Sequence, residues 1–463
     1  HLSNEVVAVS TLLKEGGYHT YMAGKWHLGK SASNIPHGRG FEKSFALMES
    51  GADNWVSQSY GPMYQRVHYY EDDKEVDLPA DDYFSTDHYT QKMIEYIDSN
   101  KDSDKPFFAY LAYQAVHSPH QAPKEYIDKY NGVYDKGWDV TREKRLARQK
   151  ELGLFGNDVE LAPDFNKATL YSIEDWNSLS KEEQSFSARK MQVYAGMVDN
   201  MDYNIGLILK YLEKTGKLEN TLIVFMSDNG PDATELQDMA AFKPWYEANY
   251  EHVFKDAMSE GYPELGQRGS FSAHGPGWAA ATASPTSYWK TFSTEGGLRV
   301  PFIAHLPDQI SAGQKSTTFG YVNDLVPTVL EVAGIEHPGT RFKGKKIHPL
   351  SGKSMWPLLT GNSDTVHGND NAVGYELAGS SAIFQGDFKL VRNPAPKGTG
   401  QWELYNIQKD PAELNELSSQ MPELVATLSQ AYSIYEKENN VIRVPADYNP
   451  ALQLQRNAAR NTH

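Results

Sequence analysis

The sequence predicts an α/β protein: a large, mostly parallel sheet flanked by helices, then a smaller C-terminal domain with a short antiparallel sheet and a helix. Three observations carry this expectation. Apolar runs of strand length alternate with long helical stretches, the pattern of βα units in a parallel sheet. After Gly361 the pattern changes to short alternating segments joined by tight turns. The 463 residues exceed one compact core, so two unequal domains are expected, at residues 1–362 and 363–463.

The elements follow in order. In "NEVVAVSTLLKEGGYHTYMAG", Val6, Val9, Leu12 and Leu13 fall at helical spacing, Gly16–Gly17 forms a C-cap, and "YHTYMAG" alternates as a short strand. "PFFAYLAYQAVHSPHQAP" is an apolar strand, Phe107 to Ala112, running into a polar, proline-rich loop. A charged helical stretch, Thr141 to Glu151, precedes an irregular connection. The clearest helix carries Met191, Tyr194, Val198, Met201, Ile205, Ile208 and Leu212 as one stripe and ends at Gly216. A buried strand, Leu222 to Met226, follows and ends in Asp228–Asn229–Gly230. Residues 230–285 show few clear periods, and their Gly, Pro and aromatic content suits a pocket or an interface. Val300 to His305 reads as a strand, and a helix begins near Asn323–Asp324. Residues 372–394 and 400–417 alternate like antiparallel strands, and an amphipathic helix spans Pro422 to Lys437.

Composition narrows the function. Hydrophobic residues at 40% and charged residues at 22% are globular values. A net charge of −16 repels phosphate backbones, which argues against a nucleic-acid partner. Any anion site must therefore be locally basic. The absence of cysteine excludes disulfides, thiolate zinc sites and a cysteine nucleophile within this chain. No apolar run approaches a membrane span. The opening "HLSNEVVAVS" has neither the basic start nor the apolar run of a signal peptide and begins with His, so residues upstream are expected. A soluble protein, periplasmic or secreted rather than cytoplasmic, is the expectation.

Candidate chemistry gathers at strand ends, where ligands sit in parallel sheets. Asp228–Asn229 offers hard oxygen ligands for Ca²⁺ or Mg²⁺, or equally an Asx-turn closing the strand. An ionised Asp228 at the end of an apolar strand would need a cation or several donors to offset lost solvation. His117 and His120, stiffened by Pro119 and Pro123, suit acid–base work or an ordinary surface loop. Lys290 could clamp an anion or snorkel at the surface. Lys25 and His27, two apart, face the same way in an extended segment, as an anion clamp or a coincidental pair. Together they describe a divalent-cation site ringed by Lys and His, suited to an anionic ester; phosphate and sulfate are not separated by this argument.

The same residues carry a resemblance. "GYHTYMAGKWHLG" resembles the second signature of the type I sulfatases, and "FMSDNG" resembles that family's second metal-ligand segment. The likeness extends through "QVYAGMVDNMDYNIG", "WKTFSTEGGLRVP" and "WELYNIQKDPAELNEL", and thus over nearly the whole chain. It is greatest to the bacterial arylsulfatases, within the alkaline phosphatase superfamily. The resemblance implies a sulfuric ester hydrolase acting on a small-molecule or saccharide sulfate ester. Its cofactors would be Ca²⁺, with Mg²⁺ as the alternative, and a formylglycine nucleophile made from the Cys or Ser of a C/S-x-P-x-R motif. It further implies that Asp228 and Asn229 bind the metal and that Lys25 contacts sulfate near the nucleophile. His27 would be the base on the formylglycine hydroxyl. His117 and Lys290 would hold sulfate and help protonate the leaving oxygen, and His120 receives no role.

The departure is as informative. The sequence contains no C/S-x-P-x-R, and the family's opening Asp-Asp metal pair is missing. Asp72–Asp73 and Asp81–Asp82 follow the GK-x-H segment and so stand in the wrong order to replace it. In the family both missing motifs precede that segment, so a missing N-terminal portion with the nucleophile is the expectation. Two alternatives stand beside it: a non-catalytic sulfatase relative, and a phosphatase or phosphonate ester hydrolase of the same superfamily.

Overall fold

The computed structural model describes residues 1–79, 81–163, 173–236, 239, 242–255, 262–395, 397–445, 448, 452–453 and 456. After helix α1 (Val9–Glu15), the alternating stretch ahead of Trp26 forms β1 (His19–Lys25). It lies between β2 (Lys43–Leu47) and, beyond helix α2 (Ser85–Asp98), β5 (Phe107–Ala112), parallel to both. The short strands β3 (Tyr69–Glu71) and β4 (Lys74–Val76) extend the other side antiparallel, giving a five-stranded sheet in the order β4-β3-β2-β1-β5. The Asp72–Asp73 turn joins β3 to β4. Gly24 faces Ala112 across the β1–β5 pair at φ +121°; a Cβ there would lie 1.9 Å from the Ala112 carbonyl oxygen, so only glycine allows this approach.

Helix α2 packs on this sheet, where Tyr21, Phe45, Tyr69, Tyr89 and Met93 form a buried aromatic core. A second core joins α4 (Gly137–Glu151), α5 (Lys181–Lys214) and α7 (Gly275–Ala283) through Trp138, Met191 and Trp278, with Trp176 and Trp289 beside them. The short α3 (Lys124–Asp128) also packs on α5. Helix α5 is the long helix the sequence marks. Ser180 Oγ accepts from the Glu183 N–H at 3.2 Å and Glu183 Oε2 from the Ser180 N–H at 2.8 Å, which starts the helix. Gly216 at φ +67° follows its end. Its burial differs from the predicted stripe. Val198 is exposed, whereas Val193 and Met197 are buried against Ile127 of α3. Elements packed on several sides of α5 bury residues 187–197 almost all round, so one periodic stripe is too narrow a description.

The strand near residue 222 also departs from expectation. It forms as β6 (Ile223–Met226) but is not fully buried. It pairs antiparallel with β7 (Phe302–His305) in a separate two-stranded sheet. Among the described residues neither this pair nor β5 has a partner on its outer edge, and Tyr110 of β5 and Ile303 of β7 are 46% and 60% exposed. An apolar run shows that a strand will form but not that both its edges are paired. Residues 230–285, read as aperiodic, contain α6 (Lys243–Lys255) and α7. Helix α7, "GPGWAAATA", is apolar on every face because it is buried, so it leaves no period to detect. Residues 237–238, 240–241 and 256–261 of this stretch lie outside the described residues.

Further on come α8 (Glu295–Leu298), α9 (Leu325–Ala333), the β8–β9 hairpin (Arg341–Phe342, Lys345–Lys346) and α10 (Trp356–Leu359). The chain closes with a four-stranded antiparallel sheet, β10 (Val373–Leu377), β11 (Ser380–Gln385), β12 (Phe388–Arg392) and β13 (Glu403–Asn406), covered by α11 (Pro422–Glu438). Lys389 of β12 ties this sheet to α8. It is fully buried, and its Nζ donates to Glu295 Oε1 at 3.0 Å and Glu413 Oε1 at 2.9 Å.

Burial pushes the Glu413 carboxyl up from its ordinary 4.5 to about 7; Lys389 opposes the rise and Glu295 adds to it. Burial also pushes Glu295 upward, but Lys389 and Arg299 outweigh it and hold that carboxyl below the usual range. The folded chain thus keeps a proton on Glu413 that the unfolded chain releases above about pH 4.5. Its contribution to stability is complete below that pH and is lost as pH rises toward about 7. Glu413→Gln keeps an acceptor but cannot titrate. Urea denaturation of this variant is expected to show a shallower fall of stability between those two pH values than the wild type; an unchanged slope would contradict the assignment.

Candidate active site

Lys25 is the last residue of β1, and His27 lies two residues on at φ +52°, exposed, with its Nε2 3.2 Å from Tyr64 Oη. His117 follows β5, which is parallel to β1, so both side chains leave the sheet at the same edge. Asp228 and Asn229 follow β6. Lys290 reaches the group from far along the sequence through a close backbone fit. The Lys290 N–H donates to Pro231 O at 2.9 Å, and the Gly230 N–H to Gly297 O at 3.0 Å. A Cβ on Gly230 would meet Gly296 O at 1.9 Å, and one on Gly296 would meet Tyr288 O at 2.1 Å. Gly230 therefore admits the "EGG" backbone, and Gly296 in turn admits the backbone of Tyr288, two residues before Lys290.

The structure brings Lys25, His117 and Lys290 into one electrostatic neighbourhood. Burial and the like charge of Lys290 lower Lys25 below the ordinary lysine range, against the pull of Asp228. Burial, Lys25 and Lys290 together lower His117 to about 4. His27 is lowered by burial and by Lys25, with Glu49 opposing. His117 Nδ1 lies 2.7 Å from Ser118 O, and a carbonyl can only accept, so Nδ1 carries the proton and Nε2 of the neutral ring is an acceptor. Two lysines and two histidines whose charges oppose one another form a locally basic site in an acidic chain. An incoming anion relieves that repulsion.

Three residues that belong here lie in segments the sequence marks as shaping the substrate site, the Tyr-rich "QSYGPMYQRVHYYEDD" and residues 230–285, without being singled out there. Asp232 lies 3.5 Å from Lys290 Nζ; burial pushes its carboxyl up, but Lys290 and donors from Thr234 outweigh this and hold it low. A second carboxylate four residues after Asp228, in "SDNGPD", was the available signal. Tyr60 stands edge-on to His117 at 5.6 Å between ring centroids, and Tyr64 meets His27. Both come from the Tyr-rich segment that follows β2, for which periodicity gives no signal.

Asp228 corrects one expectation. It is exposed rather than desolvated, and among the described residues it makes no hydrogen bond or ion pair. Asn229 Nδ2 donates to Gly230 O at 2.9 Å, which leaves its Oδ1 free to accept. Neither side chain closes the strand as an Asx-turn. Both offer oxygens of the kind Ca²⁺ or Mg²⁺ takes, but they are two donors of a shell that needs about six to eight for Ca²⁺. Among the described residues no group of three or more His, Cys, Asp or Glu side chains could hold a metal. His120 lies behind His117, buried, its ring 5.0 Å from that of His274.

Strand ends of an α/β sheet here gather two lysines, two histidines and the carboxylate of Asp228, the place where ligands sit in such folds. The sulfatase family matches residues 1–335, and the C-terminal part of N-sulphoglucosamine sulphohydrolase matches residues 286–438. The chain belongs to the sulfatase family and is a sulfuric ester hydrolase. An uncharacterized sulfatase of Schizosaccharomyces pombe is 36% identical over 458 residues, covering 97% of this chain and 80% of that protein. The arylsulfatase of Klebsiella aerogenes is 34% identical over 357 residues, covering 76% and 73% respectively. The crystal structure of Ps i-CgsB in complex with k-i-k-neocarrahexaose shares the fold at a TM-score of 0.61 and 22% identity, covering 97% of this chain and 78% of that one. No helix among the described residues is long and apolar enough to cross a membrane.

Proposed function

We propose that Lys25, His27, His117 and Lys290 bind and help cleave a sulfate ester, with the nucleophile contributed by a segment outside these 463 residues. The observation that carries this reading is the convergence of Lys25, Lys290 and His117 on one site, where Lys290 lowers Lys25 and both lysines lower His117. The full family chemistry includes a formylglycine and a Ca²⁺ ion. When present they would supply the nucleophile and a Lewis acid, with Asp228 and Asn229 among the metal's ligands. The chain's own residues do the rest. Lys25 and Lys290 neutralise the ester oxygens as charge develops. His27, oriented by Tyr64, accepts a proton at a ring nitrogen. His117 offers Nε2 toward the ester, and the anion's charge favours protonation there, for delivery to the leaving oxygen.

Two features support a nucleophile on another segment. No C/S-x-P-x-R occurs in the sequence. Among the described residues the apolar β5 and the β6–β7 pair have no strand on their outer edges, and such an edge is a template for a further strand. The ester is an aryl or saccharide sulfate, in keeping with the arylsulfatase relative and with the carbohydrate held by a protein of the same fold.

The test uses the complete native protein. Turnover of p-nitrophenyl sulfate is expected to exceed that of p-nitrophenyl phosphate, and peptide mapping to find a C/S-x-P-x-R peptide with its first residue modified. Faster phosphate turnover would assign the site to a phosphatase. Absence of the peptide together with absence of turnover would assign the chain to a non-catalytic relative.

A further inference from the structure

Lys290 sits in a segment whose backbone takes conformations that residues with a side chain rarely adopt. Thr291, directly after it, stands at φ +77°, and Tyr288, two residues before it, at φ +60°. For a β-branched threonine this left-handed region is a steric outlier, and it persists only where surrounding groups impose it. The approach to Lys290 is held by its own segment and by Pro231. The rings of Tyr288 and Phe292 stack with 4.4 Å between centroids, and the Lys290 N–H donates to Pro231 O at 2.9 Å. The groups that hold Thr291 come from the C-terminal sheet.

The turn that follows β12 carries Lys397. Its Nζ donates to Thr291 O at 3.0 Å and lies 5.5 Å from the centre of the Phe292 ring. Ser380 Oγ, at the start of β11, also donates to Thr291 O, at 3.5 Å. In the turn itself, Asn393 Oδ1 accepts from the Ser293 N–H at 3.1 Å. The Lys397 N–H donates to Pro394 O at 2.9 Å and the Gly400 N–H to Asn393 O at 3.0 Å, so the turn is closed on itself. The donor is therefore as firmly placed as the carbonyl it meets.

A lysine is a demanding choice for this position. Among the described residues three lysines are buried; Lys190 pairs with Glu235 and Lys389 with Glu295 and Glu413, but no carboxylate pairs with Lys397. Burial lowers its ammonium from 10.5 to about 8, and nothing opposes the fall. A buried cation without an anion is unfavourable, whereas its hydrogen bond to a carbonyl is stronger than a neutral donor would make. Two features that are each unfavourable alone, an unpaired ammonium and a threonine at positive φ, thus meet in one hydrogen bond, one residue from Lys290.

We propose that Lys397 is a positioning residue for Lys290: its hydrogen bond to Thr291 O fixes the backbone from which the Lys290 ammonium reaches the anion site. It rests on the sulfate-ester reading of the lysine and histidine cluster, and it adds to that site a residue of the C-terminal sheet that acts through Lys290 and not on the ester.

A double-mutant cycle in the complete enzyme, read by turnover of p-nitrophenyl sulfate, tests this role. Lys397→Met keeps most of the side chain's bulk and removes the donor. It is expected to lower kcat about tenfold or more, the scale of a small misplacement of a charge-stabilising group. Its urea midpoint is expected to stay near that of the wild type, because an unpaired buried charge leaves together with the bond. In a Lys290→Ala background the same substitution is expected to change kcat by less than about twofold, since the group it positions is gone. In a Thr291→Gly background the loss is expected to shrink, because glycine takes positive φ without strain. Lys397→Gln, shorter and uncharged, carries the same expectations and serves where the methionine variant does not fold.

Equal losses in the wild-type and Lys290→Ala backgrounds would make Lys397 a general support of the fold and overturn the positioning role. Full activity of Lys397→Met, or failure of both Lys397 variants to fold, overturns it too. In these three outcomes a large loss on Lys290→Ala alone leaves the cluster reading standing. A Lys290→Ala enzyme that stays within about tenfold of the wild type overturns the cluster reading at Lys290, and the positioning role falls with it.

Discussion

Lys290→Ala in the complete enzyme is expected to lower kcat for p-nitrophenyl sulfate by about 10²–10³-fold, the effect of removing one preorganised charge-stabilising group. The geometry makes the substitution clean. The backbone N–H of Lys290, not its side chain, joins the loop to Pro231 at 2.9 Å, so alanine leaves the loop in place. What disappears is one of the two ammonium groups of the basic cluster. Asp232, held 3.5 Å from Lys290 Nζ, then loses its cation, keeps its negative charge on the Thr234 donors and repels the substrate as well. The leaving group separates two roles for Lys290. A loss that grows as the leaving group becomes poorer assigns it proton delivery, and a uniform loss assigns it sulfate holding. A loss smaller than about tenfold removes it from the site.

Lys389→Ala is expected to destabilise the chain by about 3–5 kcal/mol, because it leaves buried carboxylates without their shared cation. Nothing else compensates both acids: Arg299 Nε reaches Glu295 at 2.9 Å, but Glu413 relies on Lys389 and the Glu295 N–H. Lys389→Met fills the space left by the side chain without the charge and is expected to lose nearly as much. Urea denaturation at neutral pH measures both. A loss below about 1 kcal/mol would place the lysine among ordinary exposed ion pairs.

The sequence was most readable where a single periodic signal decides. Phe107 to Ala112 was bounded to the residue as β5, and α11 nearly so, because alternation and helical spacing are local properties. The site was readable to the extent that its chemistry stands in short motifs: Lys25, His117 and Lys290 do come together. Three kinds of information were out of reach. The exposed edges of β5 and β6 depend on which strands lie alongside them, and no run of six residues records its neighbours. Asp232 acts through a contact with Lys290, a partner from a distant stretch of chain. Helix α7 is buried all round and leaves no polar face from which to read a period. Asp228 shows the reverse case: its place at the end of an apolar strand suggested desolvation, yet the open edge beside β6 leaves it in solvent.

The interlock of Gly230 with Gly296–Gly297 has a consequence for inheritance. The segment that carries Lys290 runs into those glycines, and Glu295 directly before them is held by Lys389, which belongs to the C-terminal sheet. No residue of the basic cluster lies after Gly361, yet the position of one of them depends on the strands that do. A premature stop or frameshift late in the coding sequence therefore strikes the anion site as surely as a change at Lys290 itself. Inactivating lesions in such a chain sort by what they support rather than by how near they fall to the chemistry.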